Sequence, residues 1–177
     1  FADPITITGG PITVAAALAT STAGDSITLT STGAIAINNT LTTTGAGGTI
    51  TINANTVGAD ADGFTQGNFT ITSGDPSATA VVITVNTAGV AGTGAAQVDD
   101  IITGAGGGIT IRTAGADNSV TMGGSITQTD TAVLSTATGT VTLRTGTGAV
   151  GIGTAQTAAG NVNTAAAAVV ATAGTGG

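Results

Sequence analysis

A short phrase of alternating apolar and polar residues recurs along the whole chain and limits what the chain can fold into. The phrase reads PITIT at 4–8, SITLT at 26–30, TITIN at 49–53, GITIR at 108–112 and TVTLR at 140–144. Because alternate residues of a β-strand face opposite sides, each phrase predicts a short strand with one apolar and one polar face. Such strands must pair with one another so that their apolar faces are covered.

The composition favours strands over helices, disorder and membrane spans. Thr occurs 40 times and Gly 30 times in 177 residues, whereas Glu and Lys, which favour surface helices, are absent. Charged residues make up 6% of the chain and hydrophobic residues 41%, the reverse of a disordered composition. No apolar run approaches the roughly 20 residues of a transmembrane helix, so we expect no membrane insertion. Turn-forming residues separate the phrases, and the sequence therefore predicts an all-β chain.

The spacing of the phrases favours a solenoid over a sandwich of hairpins. Ile27 and Ile50 are 23 residues apart, and this unit contains three strand-like pieces, ITLT, AIAI and TLTT, each followed by a bend. Three strands and three corners describe one triangular coil of a parallel β-helix. The sequence therefore predicts a right-handed parallel β-helix (β-solenoid) of five or six coils, folded as a single domain over 1–177.

Later repeats are longer than the 23-residue unit. Further first strands are predicted at Ile83, Ile109 and Val141, with spacings of 33, 26 and 32 residues. Insertions on one side of a coil are typical of solenoids, so the excess is interpreted as outward loops, such as the one predicted at 56–68. A weakly apolar stretch at 164–173 is compatible with a short capping helix.

The alternation also assigns individual side chains to the inside or the outside of the coils. It places Phe69 and Ile71 inside, and it places Ile83 and Val85 inside with Asn86 outside. Inward Ile, Val and Leu should stack into one core, while outward Thr should form ladders along a face.

The stretch 24–54 carries a regular series of glycine and apolar residues: Gly24, Ile27, Leu29, Gly33, Ile35, Ile37, Leu41, Gly45, Gly48, Ile50 and Ile52. In this pattern the stretch resembles the β-helical repeats of filamentous haemagglutinin-like adhesins and related bacterial surface proteins, and 104–112 and 139–152 are similar to weaker copies. The resemblance implies an exported, fibrous protein that serves attachment or coats a cell surface.

Open ends are the feature of a β-helix that suggests a function. Each end exposes unpaired backbone groups and a cross-section of apolar core, and natural solenoids cover them with polar capping units. No strongly polar cap is evident in the sequence, so the terminal segments 1–8 and 161–177 are predicted to stack on other copies. Head-to-tail stacking produces an open filament. The predicted assembly residues are Ile5, Ile7, Val162 and Val169.

Catalysis and nucleic-acid binding are not expected. Because the chain lacks His, Cys, Lys, Tyr and Glu, nucleophilic mechanisms that use Ser with His, Cys with His, or Lys are excluded. The net charge is −7 and the only basic side chains are Arg112 and Arg144, so clustered phosphate contacts are not available. No organic cofactor is expected.

Calcium is the one metal ion that the sequence suggests as a ligand of this protein, through its aspartates. Asp60 and Asp62 stand two residues apart before a Gly in the sequence DADG, as at the start of a calcium loop. No Glu is present to complete an EF-hand, so the hypothesis is a looser site that Asp75 or the pair Asp99 and Asp100 could join. The alternative interpretation is that these carboxylates are solvated turn residues.

Arg112 and Arg144 occupy the same position in two phrases, so we expect them to stack in adjacent coils. Without acidic neighbours they would repel each other, and Asp117 and Asp130 are the predicted partners.

The leading hypothesis is a structural subunit of an extracellular filament or cell-surface coat that binds copies of itself. The alternative is an adhesin stalk or binding module of a larger surface protein, with a surface-glycan-binding loop at 56–68 or 87–100. A third hypothesis is an ice-binding protein, because Thr-x-Thr recurs at 6–8, 28–30, 49–51 and 70–72 as in the Thr ladders of β-solenoid antifreeze proteins.

Overall fold

All regular structure in the described part of the chain is β-strand. The computed structural model describes residues 1–57, 60–86, 92–113, 123–129, 131–146 and 163–172. These ranges contain no helix, and therefore none long and apolar enough to cross a membrane. The strands, in chain order, are β1 (Ile5–Gly9), β2 (Ile12–Val14), β3 (Leu18–Ala19), β4 (Ile27–Ser31), β5 (Ile35–Ile37), β6 (Leu41–Thr43), β7 (Ile50–Ala54), β8 (Phe64–Gln66), β9 (Ile71–Ser73), β10 (Val81–Val85), β11 (Ala96–Val98), β12 (Ile101–Thr103), β13 (Ile109–Arg112), β14 (Ile126–Gln128), β15 (Leu134–Thr136), β16 (Thr140–Arg144), β17 (Thr164–Ala165) and β18 (Ala168–Thr172).

The strands form three parallel sheets. Sheet A contains β1, β4, β7, β10, β13, β16 and β18 in that order. Sheet B contains β2, β5, β8, β11 and β14, and sheet C contains β3, β6, β9, β12, β15 and β17. The chain visits sheets A, B and C in turn and then begins again, which is the path of a β-solenoid. The predicted all-β parallel β-helix is confirmed, and its handedness stays a prediction.

We call each passage through sheets A, B and C a coil. Coil 1 contains β1, β2 and β3, and coils 2 to 5 likewise each supply one strand to every sheet. The strands β16 and β17 belong to a sixth coil, and β18 adds one more strand to sheet A. The extent of the described solenoid is therefore close to the predicted five or six coils.

The core is built from rows of inward side chains that stack from coil to coil. In coils 2 to 5 the inward side chains of sheet A are fully buried, and burying each one stabilises the fold by roughly 1.5–3 kcal/mol. One row joins Ile5, Ile27, Ile50, Val81, Ile109, Val141 and Val169, and the other joins Ile7, Leu29, Ile52, Ile83, Ile111, Leu143 and Ala171.

The glycine-rich segments between phrases form the tight corners between sheets C and A. Gly45 and Gly47 have φ values of 79° and 89°, and Gly106 in the corresponding corner two coils later has 87°. Left-handed backbone of this kind costs glycine little, because glycine has no Cβ. The segments TGAGG and TGAGGG therefore turn the chain without a longer loop.

One predicted loop contains a strand instead. The stretch 56–68 was expected to lie entirely outside the coil, but β8 occupies its second half and places Phe64 in the core with 1% of its surface exposed. Phe69, predicted to point inward, is 38% exposed and precedes β9 in sheet C. The prediction for Phe69 was wrong because β9 begins only at Ile71, and Phe69 lies in the bend before it, where the Phe69 N–H donates to the Gly67 carbonyl at 2.7 Å.

Coil 4 begins earlier than predicted. Its first strand starts at Val81, which pairs with Ile50, so Ile83 is the second inward residue of β10 and not the first. Asn86 was predicted to face outward, yet it is 1% exposed. At the other end of the chain, the possible capping helix at 164–173 is wrong, because the strands β17 and β18 occupy that stretch.

Candidate assembly site

The terminal strands of sheet A carry inward apolar side chains that no further described strand covers. Ile5 and Ile7 of β1 are only partly buried against the core. Val169 of β18 pairs with the buried Val141, yet 48% of its surface is exposed. We call Ile5, Ile7, Ile12 and Leu18 the N-terminal end surface, and Ala166, Val169 and Ala171 the C-terminal end surface.

The backbone of these terminal strands also has an open side. Within the solenoid, N–H groups of inward residues donate to the following coil, as from Ile5 to the Ser26 carbonyl at 2.9 Å and from Ile27 to the Thr49 carbonyl at 2.9 Å. By the same alternation, the N–H and C=O groups of Val169 point away from β16. A strand edge with unpaired groups can accept another strand.

Phe1 forms an additional rung of sheet C. Its amino group donates to the Ala19 carbonyl at 2.7 Å, and the Ser21 N–H donates to the Phe1 carbonyl at 2.8 Å. This pattern pairs Phe1 with Thr20, just beyond β3. Phe1 therefore occupies the position in sheet C that lies one coil before coil 1. The Phe1 side chain is 72% exposed.

Two prolines distinguish the first coil from the others. Pro4 and Pro11 immediately precede β1 and β2. Proline lacks an N–H and is tolerated at the first residue of a strand and on edge strands. Coil 1 therefore starts two of its three strands with a residue that needs no hydrogen-bond acceptor.

The predicted assembly residues fall on the end surfaces where the structure describes them. Ile5 and Ile7 lie on the N-terminal end surface and Val169 on the C-terminal one, while Val162 lies outside the described residues. Sequence reasoning missed Phe1, which carries no strand phrase of its own. Ile12 and Leu18 were missed as well, although the alternation in PITVA offered a signal for Ile12.

Buried amides join the coils at the corner between sheets A and B. Asn55 Nδ2 donates to Asn86 Oδ1 at 2.8 Å, and Asn86 Nδ2 donates to the carbonyls of Gly94 and Thr113 at 3.0 and 2.9 Å. Both asparagines adopt positive φ, 52° and 60°, and both are buried. The side chains thus link coils 3, 4 and 5 where the strand ladder ends.

A glutamine and two carboxylates join the coils at the corner between sheets B and C. Gln66 occupies an inward position at the end of β8, and its Nε2 donates to the Asp100 carbonyl at 2.9 Å while its Oε1 accepts the Asp99 N–H at 3.1 Å. Asp99 then accepts the Thr129 hydroxyl, and Asp100 Oδ1 accepts the Val133 N–H at 2.8 Å. These carboxylates are structural acceptors that tie coil 4 to coil 5.

Asp75 joins coils at the third corner, between sheets C and A. Its Oδ1 accepts the Gly47 N–H of the preceding coil at 3.0 Å, and its Oδ2 accepts the Ser77 hydroxyl. Burial raises the pKa of Asp75, but the hydrogen bonds from the Ser77 hydroxyl, the Gly47 N–H and the Ser77 N–H together hold the pKa below its ordinary value. The ionised form is therefore the one that fits this corner.

The carboxylates considered for calcium lie at three different corners. Asp60 and Asp62 stand together between sheets A and B, where the Asp62 N–H donates to Asp60 Oδ1 at 3.3 Å. Asp75 lies between sheets C and A, and Asp99 and Asp100 lie between sheets B and C. Among the described residues, no group of three or more carboxylates, His or Cys could hold a metal ion. Calcium binding by Asp60 and Asp62 stays a prediction.

The two arginines are stacked as the sequence predicts. Arg112 of β13 and Arg144 of β16 are register partners on the outer side of sheet A. Their predicted acidic neighbours, Asp117 and Asp130, lie outside the described residues.

Outward threonines form two columns on sheet A that do not continue unchanged. The first two coils align Thr6 with Thr28 and Thr8 with Thr30. The second column then passes to Asn53 in coil 3. Further along, it continues through the buried Thr84 to the two arginines, and the first column contains Val82 and the buried Thr110.

The fold defines the class of this protein, a parallel β-solenoid, and is compatible with β-helical repeat proteins. Comparisons with protein-family models, with curated proteins and with solved structures found no match.

Proposed function

We propose that this chain is a structural subunit of an extracellular filament or cell-surface coat, assembled head to tail through the ends of its solenoid. The observation that carries the proposal is the exposure of inward apolar residues on both terminal strands of sheet A. Ile5 and Ile7 at one end and Val169 at the other occupy rows that are fully buried in coils 2 to 5. Covering them with another coil would extend the same core.

The mechanism is mechanical and needs no reactive group. A parallel solenoid directs its backbone hydrogen bonds along its axis, so each added subunit continues an existing ladder of N–H to C=O bonds. An open end offers both apolar surface and unpaired strand edge to a second copy. Because the two end surfaces differ, their association is heterologous, and repeated association produces a filament instead of a closed dimer.

The composition suits a durable external material. The chain contains no Lys and only two Arg, so trypsin has two possible cleavage sites, at Arg112 and Arg144. Aromatic residues, which other proteases prefer, make up 2% of the chain. The similarity of 24–54 to haemagglutinin-like surface repeats supports the same extracellular location.

Electron microscopy of the purified protein at neutral pH tests the proposal. We expect long unbranched fibres with an axial repeat of about 4.8 Å, the spacing of paired strands. Small separate particles at high protein concentration would overturn the filament proposal.

A substitution at the C-terminal end surface makes this test specific. Val169→Asp places a carboxylate in the row that the next subunit would bury, and burying an unpaired charge is costly, so we expect fibres to be lost. The control is Val57→Asp, because Val57 is 66% exposed at the corner between sheets A and B, away from both end surfaces. Equal fibre formation by the two variants would contradict assembly through β18.

Calcium binding is tested separately from assembly. Isothermal titration calorimetry with Ca²⁺, with the double variant Asp60→Asn and Asp62→Asn as control, measures whether this corner binds the ion. Since both residues lie in coil 3, we expect a chelator to leave the end-to-end contact of the fibres intact. Loss of fibres on chelation would instead indicate that these carboxylates bind a calcium ion that assembly requires.

An adhesin stalk or binding module of a larger surface protein is the second candidate function. The corner at 56–68 favours it, because Val57 and part of the corner around Asp60 are exposed beside the strand β8. Binding of the monomeric protein to immobilised surface glycans, without fibres, would support this alternative.

Ice binding is the third candidate, and the aligned threonines of coils 1 and 2 favour it. A measurable thermal hysteresis that Thr28→Leu removes would support it. The second outward column changes to Asn53 and later to arginine, so the regular threonine array is short. We therefore expect the thermal hysteresis to be small or absent.

A further inference from the structure

We propose that the joint between two copies is a shared coil, in which β18 of one copy forms the sheet A side and Phe1 of the next copy forms the sheet C side. This inference rests on the proposed head-to-tail assembly and specifies its register. Each end of the described solenoid contributes one part of a further coil. The part at the C-terminal end lies in sheet A, and the part at the N-terminal end lies in sheet C.

The positions of the two parts follow from strand pairing. At the C-terminal end, β18 lies one coil beyond β16 in sheet A, while sheet C ends with β17. At the N-terminal end, Phe1 lies one coil before β3 in sheet C, while sheet A begins with β1. Stacking two copies so that β1 follows β18 places Phe1 directly after β17. In this one arrangement sheet A gains β18 and sheet C gains Phe1 between the last coil of one copy and the first coil of the next.

The register of this joint continues the inward rows. The pairing of β18 with β16, carried on by one coil, sets Val169 opposite Ile5 and Ala171 opposite Ile7 of the next copy. In the solenoid the first inward N–H of a strand donates to the residue that precedes the next strand, as Ile5 does to Ser26. At the joint the equivalent acceptor is the carbonyl of Pro4, which proline retains.

The sizes of the inward side chains are complementary across the joint. Ala171 stands in the row that holds Leu143 one coil earlier, and Ala166 follows β17 in the row of Thr136. Small residues at these positions would leave a void under a directly stacked coil, and voids in a core are destabilising. Phe1 would occupy this space, which accounts for a large aromatic side chain that is 72% exposed in the single chain.

Engineered cysteines test the register directly, because the chain contains no Cys. Thr6 and Val170 are outward residues that the joint sets opposite each other, so the variant Thr6→Cys with Val170→Cys should form disulfides between copies. Ala2 and Ala167 are the corresponding pair beside Phe1 in sheet C, and Ala2→Cys with Ala167→Cys reports on that side.

The control is Thr8→Cys with Val170→Cys, which lies two residues out of register. A two-residue offset of about 6.6 Å along the strand, combined with about 4.8 Å between strands, sets the two Cα atoms about 8 Å apart, beyond the distance of about 6.8 Å that a disulfide allows. We expect a ladder of covalent multimers on a non-reducing gel from both in-register variants and little from the control. Each variant is first checked for the far-ultraviolet circular dichroism of the unmodified protein.

The outcomes separate the inference from the proposed function. Multimers from Thr6 and Val170 but not from Ala2 and Ala167 would show stacked ends without a shared coil, which overturns the inference. Fibres that form without cross-links in either variant would also overturn it, while the filament function would stand. Neither fibres nor cross-links would overturn both.

Discussion

Coil 1 and coil 3 have nearly the same first strand but differ in how much of it is buried. The strand in coil 1 begins ITIT and that in coil 3 begins ITIN. Ile50 and Ile52 are fully buried, whereas Ile5 and Ile7 are only partly buried, although the residues share the same two rows of sheet A. The difference arises because coil 3 has a neighbour on each side and β1 has a described neighbour only on one.

The same contrast applies to polar side chains. Gln66 and Asn86 are buried within the solenoid because groups of adjacent coils accept or donate their hydrogen bonds. A buried amide without those partners would cost free energy, so such residues are tolerated only between coils. Thr136 is an exception, because its buried hydroxyl has no hydrogen-bond partner. Thr103, its register partner in the preceding coil, donates instead to the Gly107 carbonyl at 2.7 Å, four residues further along the chain.

The largest difference between interior and end coils is expected for Ile→Ala substitutions in one row. Ile52→Ala should lower the free energy of unfolding by about 2–5 kcal/mol, because it leaves a cavity among stacked side chains. Ile7→Ala, in the same row of coil 1, should cost less than half as much, since part of that side chain is already exposed. Urea denaturation of non-assembled protein measures both, and equal losses would contradict the view that neighbouring coils set the stability of each position.

An intermediate effect is expected at Asn86. Asn86→Ala leaves the Gly94 and Thr113 carbonyls and the Asn55 amide without their partner, at a cost of about 1–3 kcal/mol. Asn86→Gly removes the same hydrogen bonds but suits the φ of 60°, so it should be about 1 kcal/mol less destabilising than the Ala variant. If the Gly variant proved as unstable as the Ala variant, the backbone conformation would not contribute.

The smallest of these effects concerns the pH dependence at Asp75. Because the folded-state pKa of Asp75 lies below its ordinary value, its ionised form stabilises the fold above about pH 4, and that contribution is lost as the pH falls through the folded-state pKa. Asp75→Asn should therefore lower stability at neutral pH and make the loss of stability in acid shallower. Thermal unfolding between pH 2 and pH 7 measures this, with the exposed Asp3→Asn as control; an unchanged slope would contradict the role of this carboxylate.

Much of the fold could be predicted from local sequence. The 23-residue unit at 26–48 was predicted with three strands, which are β4, β5 and β6. The prediction worked there because the strands are short, alternate strictly and are separated by glycine-rich turns. It failed at Phe69, because the strand of sheet C begins only at Ile71, and alternation alone does not show where a strand begins.

The candidate site was predicted only in part, for a related reason. Alternation identified Ile5, Ile7 and Val169 as inward residues, but the pairing of Phe1 with Thr20 joins residues that are distant in sequence. Likewise, Asp75 and the pair Asp99 and Asp100 looked like surface carboxylates, and the structure places them at hydrogen-bonded corners. Their hydrogen-bond partners come from other coils, and a local sequence pattern does not indicate which residues of another coil lie nearby.

Local sequence is enough to specify parallel β-solenoid coils, because β-branched residues at every second position and glycine at the turns leave few other arrangements. The stacking of the coils sets which strand lies on which side, which polar residues are buried and which apolar residues remain exposed. The physical reason is that burial in a solenoid depends on the coil above and the coil below. Isoleucines of the same rows are therefore fully buried in coil 3 and only partly buried in coil 1.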